Sequence, residues 1–207
     1  MKNLQKLALL LVVTLSGFNL VAQTSFRGSM IISGNTNLNF ITMENTRDSD
    51  FGEESLGKQN TFDFSPEIGW FVNDDLILGV GLPINITTNK DEDGDKTTVS
   101  SYILAPFAKH YFGKGNVRPF FQAILGYGIT KYKEDTKYFD YDADSYEMNS
   151  FLYGLGGGFS FFLNQNIALD FSTGYNHITS KPKDDNDSDY KMIKKGFQAN
   201  VGFTIIF

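Results

Sequence analysis

The sequence predicts an all-β fold, an eight-stranded antiparallel up-and-down transmembrane β-barrel, and three observations predict it. Strand-like runs of about 11 to 16 residues with period-two patterning recur along the chain. Short and long links between them take turns. The polar face of the runs is built of Gly, Ser, Asn and Gln, not of Lys and Glu. Composition agrees: 20 Phe, 10 Tyr and 20 Gly favour sheet over helix. The absence of Cys excludes a disulfide framework, thiolate metal sites and a cysteine-linked lipid anchor.

The first element is a leader. MKNLQKLALLLVVTLSGFNLVAQ carries Lys2 and Lys6, a charge-free run from Leu7 to Leu15, and smaller, more polar residues up to Ala22. This is the three-part pattern of a secretory signal peptide over residues 1–22, cleaved after Ala22, and its apolar run is short for a bilayer crossing that needs about 20 residues. The domain proper is then 23–207. It carries no convincing helical apolar period, so every further element is a strand.

The first strand, Gly28 to Phe40, sets Met30, Ile32 and Leu38 against Ser33, Asn35, Asn37 and Asn39. In Asn60 to Val72, Phe62, Phe64, Ile68, Trp70 and Val72 oppose Asp63, Ser65, Glu67 and Gly69. Leu76 to Thr87 alternates Leu78, Val80, Leu82, Ile84 and Ile86 with Gly79, Gly81 and Asn85. Thr98 to Phe112 is the least regular, because Pro106 cannot donate to a ladder and Lys109 and His110 put a basic group on each side; a bulge is expected there. In Arg118 to Tyr132, Phe121, Ala123, Leu125, Tyr127 and Ile129 face away from Gln122, Gly126 and Gly128. Glu147 to Leu163 and Ile167 to Thr179 continue the pattern with Phe151, Tyr153, Leu155, Phe159 and Phe161 against glycines, and Leu169, Phe171 and Tyr175 against Asp170, Ser172, Gly174 and Asn176. Met192 to Phe207 closes it, with Phe197, Ala199, Val201, Phe203, Ile205 and Phe207 on one side and Gln198, Asn200, Gly202 and Thr204 on the other.

Short links at Asn73 to Asp75, Gly113 to Val117 and Asn164 to Asn166 hold the Asn, Asp and Gly that tight turns require. Long links fall at Ile41 to Gln59, Asn89 to Lys96, Lys133 to Tyr146 and Lys181 to Lys191. A meander places alternate links at opposite ends, so one end is tight and the other extended. The long links carry a net charge of −9 in a chain of −6, which leaves the strands almost bare of charge.

Period two alone does not say which face is outside. A soluble lipocalin-like barrel needs a charged exterior, since Lys and Glu keep sheet surfaces soluble and block edge pairing. The Gly- and amide-rich face instead suits the crowded inside of a narrow barrel, which leaves the apolar face as a band for lipid. Aromatic pairs beside the short turns, Trp70 and Phe71, Tyr111 and Phe112, Phe120 and Phe121, Phe161 and Phe162, together with Phe207, are expected to form a girdle at the membrane interface.

FSPEIGWFVNDDLILGVG, APFAKHYF, RPFFQAILGYG and the terminal VGFTIIF resemble the small outer-membrane β-barrel proteins common in Bacteroidetes, the OmpX/OmpA-like or PorT-like barrel domain, over essentially all of the chain after Ala22. The resemblance implies insertion in the cell outer membrane, both termini and the short turns in the periplasm, and the long loops outside the cell. It implies a monomer in contact with outer-membrane lipid and lipopolysaccharide. It also implies that Val201, Phe203, Ile205 and Phe207 are read by the barrel-assembly machinery.

Three constellations bear on chemistry. His177 and Thr179 in GYNHITSK have the spacing and lipid-facing orientation of the His and Ser pair of outer-membrane lipid A deacylases, which are similar barrels; a base beside a hydroxyl nucleophile is a hydrolytic pair, but Thr179 stands where Ser is expected and Ser180 where Asn is. NKDEDGDKTTVS partly matches calcium-loop spacing through Asn89, Asp91, Asp93, Gly94 and Asp95, with Ser100 in place of the bidentate Glu. Asp63, Glu67 and Asp170 face the lumen, with Lys194 as their expected partner, and enclosed charges of this kind read as a hydrogen-bonded plug. Accordingly no catalytic, cofactor-binding or metal residue is assigned. Acidic links repel nucleic acid, and eight strands leave no room for porin-like diffusion. The expected function is a non-enzymatic integral outer-membrane barrel with a structural, surface-interaction or secretion-assembly role. The alternatives are a lipid-modifying hydrolase using His177 and Thr179 and a soluble secreted ligand carrier.

Overall fold

The structure, a computed structural model, describes residues 26–37, 43–49, 52–91, 95–135, 145–183 and 191–207. The expected leader over 1–22 and its cleavage point lie outside these residues. Ten strands follow one another: β1 (Met30–Asn37), β2 (Met43–Ser49), β3 (Gly52–Phe71), β4 (Leu76–Gly81), β5 (Ile84–Lys90), β6 (Lys96–Tyr111), β7 (Val117–Asp135), β8 (Ser145–Phe162), β9 (Ile167–Pro182) and β10 (Met192–Ile206). All pairings are antiparallel: from β6 to β10 each strand pairs with the next, β3 and β6 both pair with β4 and with β5, β2 pairs with β3, and β1 pairs with both β10 and β3, which closes the sheet into a ring. β4 and β5 occupy one ring position and β2 stands outside the ring, so the wall has the eight predicted positions. Followed once round the wall, the registers return to β1 displaced by about ten residues, a stagger that tilts the strands of a closed barrel.

Four details depart from the sequence reading. The long link from Ile41 to Gln59 is not structureless: β2 and the first half of β3 pair as a hairpin, from Met43 opposite Gln59 to Ser49 opposite Gly52. A strand that rises out of the wall loses its neighbours, and folding back on itself restores its backbone hydrogen bonds. Likewise β7 and β8 pair out to Lys133 and Ser145, which shortens the third long link. No bulge occurs at Pro106, because Leu104 opposite Tyr127 and Phe107 opposite Ile124 share one register. Pro106 and Pro83 simply omit a donor, while Ile103 N still donates to the Pro83 carbonyl at 3.1 Å and Leu82 N to that of Pro66 at 2.9 Å.

The fourth departure concerns the aromatic pairs. Adjacent residues in a strand point to opposite faces, so only one of each pair can reach the interface. Trp70, Phe112 and Phe121 are exposed outside, whereas Phe71, Tyr111 and Phe120 are buried inside. Phe162 packs inside against the same cluster, and Phe161 lies outside, edge-on to Phe171.

The two faces are otherwise as expected. Leu78, Leu104, Leu125, Tyr127, Phe151, Leu155, Phe159 and Phe171 lie exposed on the outer wall, while Ser33, Glu67, Ser160, Asp170 and Thr204 are buried in the lumen. Leu38 and Asn39 fall outside the described residues. Close approach demands small inner residues: a Cβ on Gly158 would strike the carbonyl oxygen of Phe171 on the next strand. At the tight end, Gly113 turns the chain with φ of 79°, a conformation that side-chain-bearing residues avoid.

Leu125, 57% exposed at mid-wall, and Leu78, 47% exposed nearer the tight end, test the face assignment. Leu125→Lys is expected to lose about 2–4 kcal/mol in urea unfolding from lipid vesicles, and Leu78→Lys less, because the cost of a cation falls toward the interface. Equal stability of wild type and Leu125→Lys would overturn the lipid face.

Candidate functional site

The lumen is the enclosed polar space of the molecule, and it is built in three layers. The tight end is plugged by side chains the period-two rule turns inward. Phe26 stacks on Phe71 with centroids 5.0 Å apart, Phe71 on Tyr111 at 6.1 Å, and Tyr111 meets Phe120 and Phe162 edge-on at 5.9 Å. Ile31, Ile77, Phe107 and Ile206 complete the cluster. The Arg118 guanidinium closes it from the side, 4.5 Å from the Phe162 ring centre and 4.8 Å from that of Phe26.

Directly above lies an ion pair. Lys109 Nζ sits 2.8 Å from Asp170 Oδ2, and both side chains are almost wholly shielded. Thr204 Oγ1 donates to the same oxygen at 2.8 Å, and Ser160 Oγ donates to Oδ1. The ammonium also rests 4.0 Å above the Phe120 ring centre, a cation–π contact that joins the charged layer to the aromatic one. On β3, Glu67 accepts hydrogen bonds of 3.0 Å from Ser33 Oγ and from Gln122 Nε2. Each carboxylate therefore has several donors, which is what a charge enclosed in a low-dielectric space requires.

The third layer is a cavity of about 510 Å³, floored by Phe120 and Glu67 and walled by amides that include Asn35, Gln122, Asn176 and Asn200. Lys194 reaches across it to donate to Asn85 Oδ1 at 3.2 Å, and Asn85 Nδ2 donates to Asp63. On the far wall a chain of hydroxyls runs through four strands: Thr130 donates to Ser101 at 3.1 Å, Thr130 and Ser150 share a hydrogen bond of 2.7 Å, and Ser150 and Ser180 another of 2.7 Å.

The sequence reading placed Asp63, Glu67 and Asp170 in the lumen correctly but paired them wrongly. Lys194 reaches Asp63 only through Asn85, and the partner of Asp170 is Lys109. A signal was present: Lys109 shares its face of β6 with the apolar Phe107 and Tyr111, and three enclosed carboxylates require a cation. Its neighbour His110 points outward, edge-on to Phe112 at 4.7 Å.

His177 and Thr179 do come together on the outer wall, with His177 Nε2 3.2 Å from Thr179 Oγ1. The imidazole lies flat on Tyr153 at 4.8 Å, and among the described residues its hydrogen-bond partner is a hydroxyl, not a carboxylate. Ser180 points inward and belongs to the hydroxyl chain. In the calcium-like stretch, Asp93 and Gly94 lie outside the described residues. The Asp91 carboxylate accepts a 2.8 Å hydrogen bond from Asp95 N, so it serves the turn that returns β5 to β6. Among the described residues no group of three or more acidic or His side chains is placed to hold a metal ion.

Residues 7–204 match the family model described as outer membrane protein beta-barrel domain. No curated protein matches the chain in sequence. Among solved structures it is similar to Ail, the attachment invasion locus protein of Yersinia pestis, in complex with the heparin analogue sucrose octasulfate, with a TM-score of 0.52 and 17% identity over 87% of this chain and 99% of that one. Neisserial surface protein A aligns with a TM-score of 0.48 and 17% identity over 89% and 100%. The outer membrane protease OmpT from Escherichia coli aligns with a TM-score of 0.42 and 9% identity over 88% and 95%.

The Lys109–Asp170 pair yields a mutational test. Lys109→Met strands a buried carboxylate and is expected to cost about 3–5 kcal/mol in urea unfolding from vesicles, whereas adding Asp170→Asn restores most of that loss. A loss under about 1 kcal/mol for Lys109→Met would show that the pair does not hold the barrel together.

Proposed function

We propose, from the premise that the chain belongs to the outer membrane protein β-barrel domain family and resides in the outer membrane, that it is a non-enzymatic, non-conducting barrel that displays acidic loops at the cell surface. The observation that carries this reading is the aromatic and ion-pair plug. A lumen filled from Phe26 to Asp170 leaves no continuous water path, while its upper cavity opens toward the long links. What varies chemically from barrel wall to exterior is then the loops, whose charge of −9 suits surface contact, envelope integrity or a secretion assembly.

The finer parts of the reading follow from it. Long loops face outward and short turns the periplasm, after a leader over residues 1–22 has directed export. The barrel is a monomer of the Bacteroidetes OmpX/OmpA-like or PorT-like kind, in contact with outer-membrane lipid and lipopolysaccharide. Its last strand, ending in Phe207, is the segment for the barrel-assembly machinery; there Ile206 N bonds Asn166 O and Phe207 N bonds Met30 O, so this strand seals the ring last in chain order.

One observation favours a second reading, the hydrogen bond between His177 and Thr179 on the lipid-facing wall. A hydrolase acting on lipid acyl esters would use it as base and nucleophile. The two readings separate by measurement. Purified protein in a planar bilayer is expected to give no steady conductance, and steps of porin size would overturn the plugged-barrel reading. Mass spectrometry of outer-membrane lipids from cells with the wild type, with His177→Ala and without the protein is expected to give one profile; acyl loss that His177→Ala abolishes would establish the hydrolase instead.

A further inference from the structure

The upper cavity of about 510 Å³ is out of keeping with the rest of the lumen. Eight strands leave an interior that side chains just fill, and in the layers beneath they do fill it. Glycine empties the upper layer. Gly154 and Gly156 of β8 and Gly174 of β9 line the space, with Gly156 directly opposite Gly174. The amides of the wall keep it open as well. The side-chain oxygen of Asn176 lies where a Cβ on Gly154 would stand, and that of Asn35 where one on Gly202 would, so both amides lie along the wall and not across the middle.

The lining is bonded differently from the layers beneath. There, Ser33, Gln122, Ser160 and Thr204 all donate to a carboxylate. In the cavity, among the described residues, the side-chain amides of Asn35, Gln59, Asn176, Gln198 and Asn200 have no hydrogen-bond partner in the chain. All five residues are partly shielded from solvent. Each amide offers an acceptor oxygen and two N–H donors. Charge, by contrast, is already answered within the chain: Lys194 and Asp63 are joined through Asn85, and Glu67 accepts from Ser33 and Gln122. Lys195 alternates onto the outer face with the exposed Phe197. One side of the lining is aliphatic, where Ile124 and Ile178 pack against the buried Leu152. The Phe120 ring on the floor is engaged by the Lys109 ammonium and edge-on by Tyr111, so it offers no free platform for a flat aromatic ligand.

We propose that this cavity binds a small neutral saccharide. A sugar hydroxyl both donates and accepts, as a side-chain amide does, and the C–H face of a sugar ring fits an aliphatic wall. The volume falls within the roughly 300–1,000 Å³ of small-molecule sites, which suits a mono- or disaccharide. The proposal goes beyond the surface-display reading and leaves the plug in place, because the ligand enters and leaves by the one mouth above Glu67 and Phe120. Only its access from the cell exterior rests on the orientation proposed above.

The test uses the full barrel refolded in dodecylphosphocholine micelles, which carry no sugar head group to compete and leave both ends open to solution. Maltose and N-acetylglucosamine are titrated in while the side-chain amide resonances of Asn and Gln are followed by NMR. A saturable shift of the resonances of Asn35, Gln59 and Asn200 is expected with one sugar or both. Gln59→Leu and Asn200→Leu, each checked for folding by the heat-dependent gel shift, should each raise the dissociation constant about five- to tenfold, the effect of losing one hydrogen bond. A glucose phosphate and glucosamine should bind more weakly than the neutral sugars. No saturable shift with either neutral sugar would overturn the proposal and leave the cavity to water. Tighter binding of a charged derivative would overturn it too, as would an unchanged affinity in both variants, which would place the sugar elsewhere. Conductance of the same preparation in a planar bilayer reads the plug separately: steps of porin size would sink the plugged-barrel reading without altering the sugar titration.

Discussion

The constraint on which the rest depends is that no backbone N–H or C=O can be left unpaired in hydrocarbon. A sheet satisfies it only by having no edge, so β1 must bond β10 and β3 at once, and it does, from Ile31 opposite Ile206 on one side to Met30 opposite Trp70 on the other. Closure with eight strands then determines how much room is left inside. The glycines of β7, β8 and β10 follow from that width, because β-carbons on Gly158 or Gly202 would occupy space already held by the Phe171 carbonyl and by Asn35. Composition that looks like low information, an excess of Gly and short amides, is thus the consequence of a narrow cylinder.

The same closure turns the lumen into a protein interior with polar walls. Charges there cannot be solvated, so they are paired or heavily hydrogen-bonded: Asp170 by Lys109, Ser160 and Thr204, Glu67 by Ser33 and Gln122. Among the described residues no buried side-chain nitrogen or oxygen lacks a partner. The layer below is apolar, and Lys109 touches both, with its ammonium on Asp170 and over Phe120. The contacts that hold this interior together are the ones that fill the lumen, so the proposed non-conductance and the stability of the barrel rest on the same side chains.

Much of the fold was legible because period two is a local property. Leu78, Leu125 and Phe171 could be put outside, and Glu67 and Asp170 inside, from their own strands alone. What failed was whatever depends on pairing between strands or on the absolute side of an irregular stretch. In ILAPFAKHYF both sides carry apolar residues, so the side of Lys109 is settled only by neighbours, Gln122 opposite it and Asp170 across the lumen. The aromatic doublets were read as a girdle from their position near the turns; alternation, applied to them as to every other residue, already required half of them to fill the plug. The hairpin of β2 with β3 was hidden for another reason, since a paired extension standing in water needs no apolar face and leaves no apolar period to read. For the lumen site, then, the residue types were readable and their partners were not.

Charge placement shows how one rule serves three environments. In the lumen, Asp170 is paired with Lys109, and Glu67 and Asp63 accept hydrogen bonds from neutral side chains. The long links are rich in acidic residues, and dissolved salt screens exposed charges over a Debye length of about 8–10 Å. The outer rim of the wall lies between these extremes, too dry for free tolerance and too exposed for burial to enforce pairing. There Lys131 and Lys183 share the Glu147 carboxylate, at 2.7 and 3.4 Å.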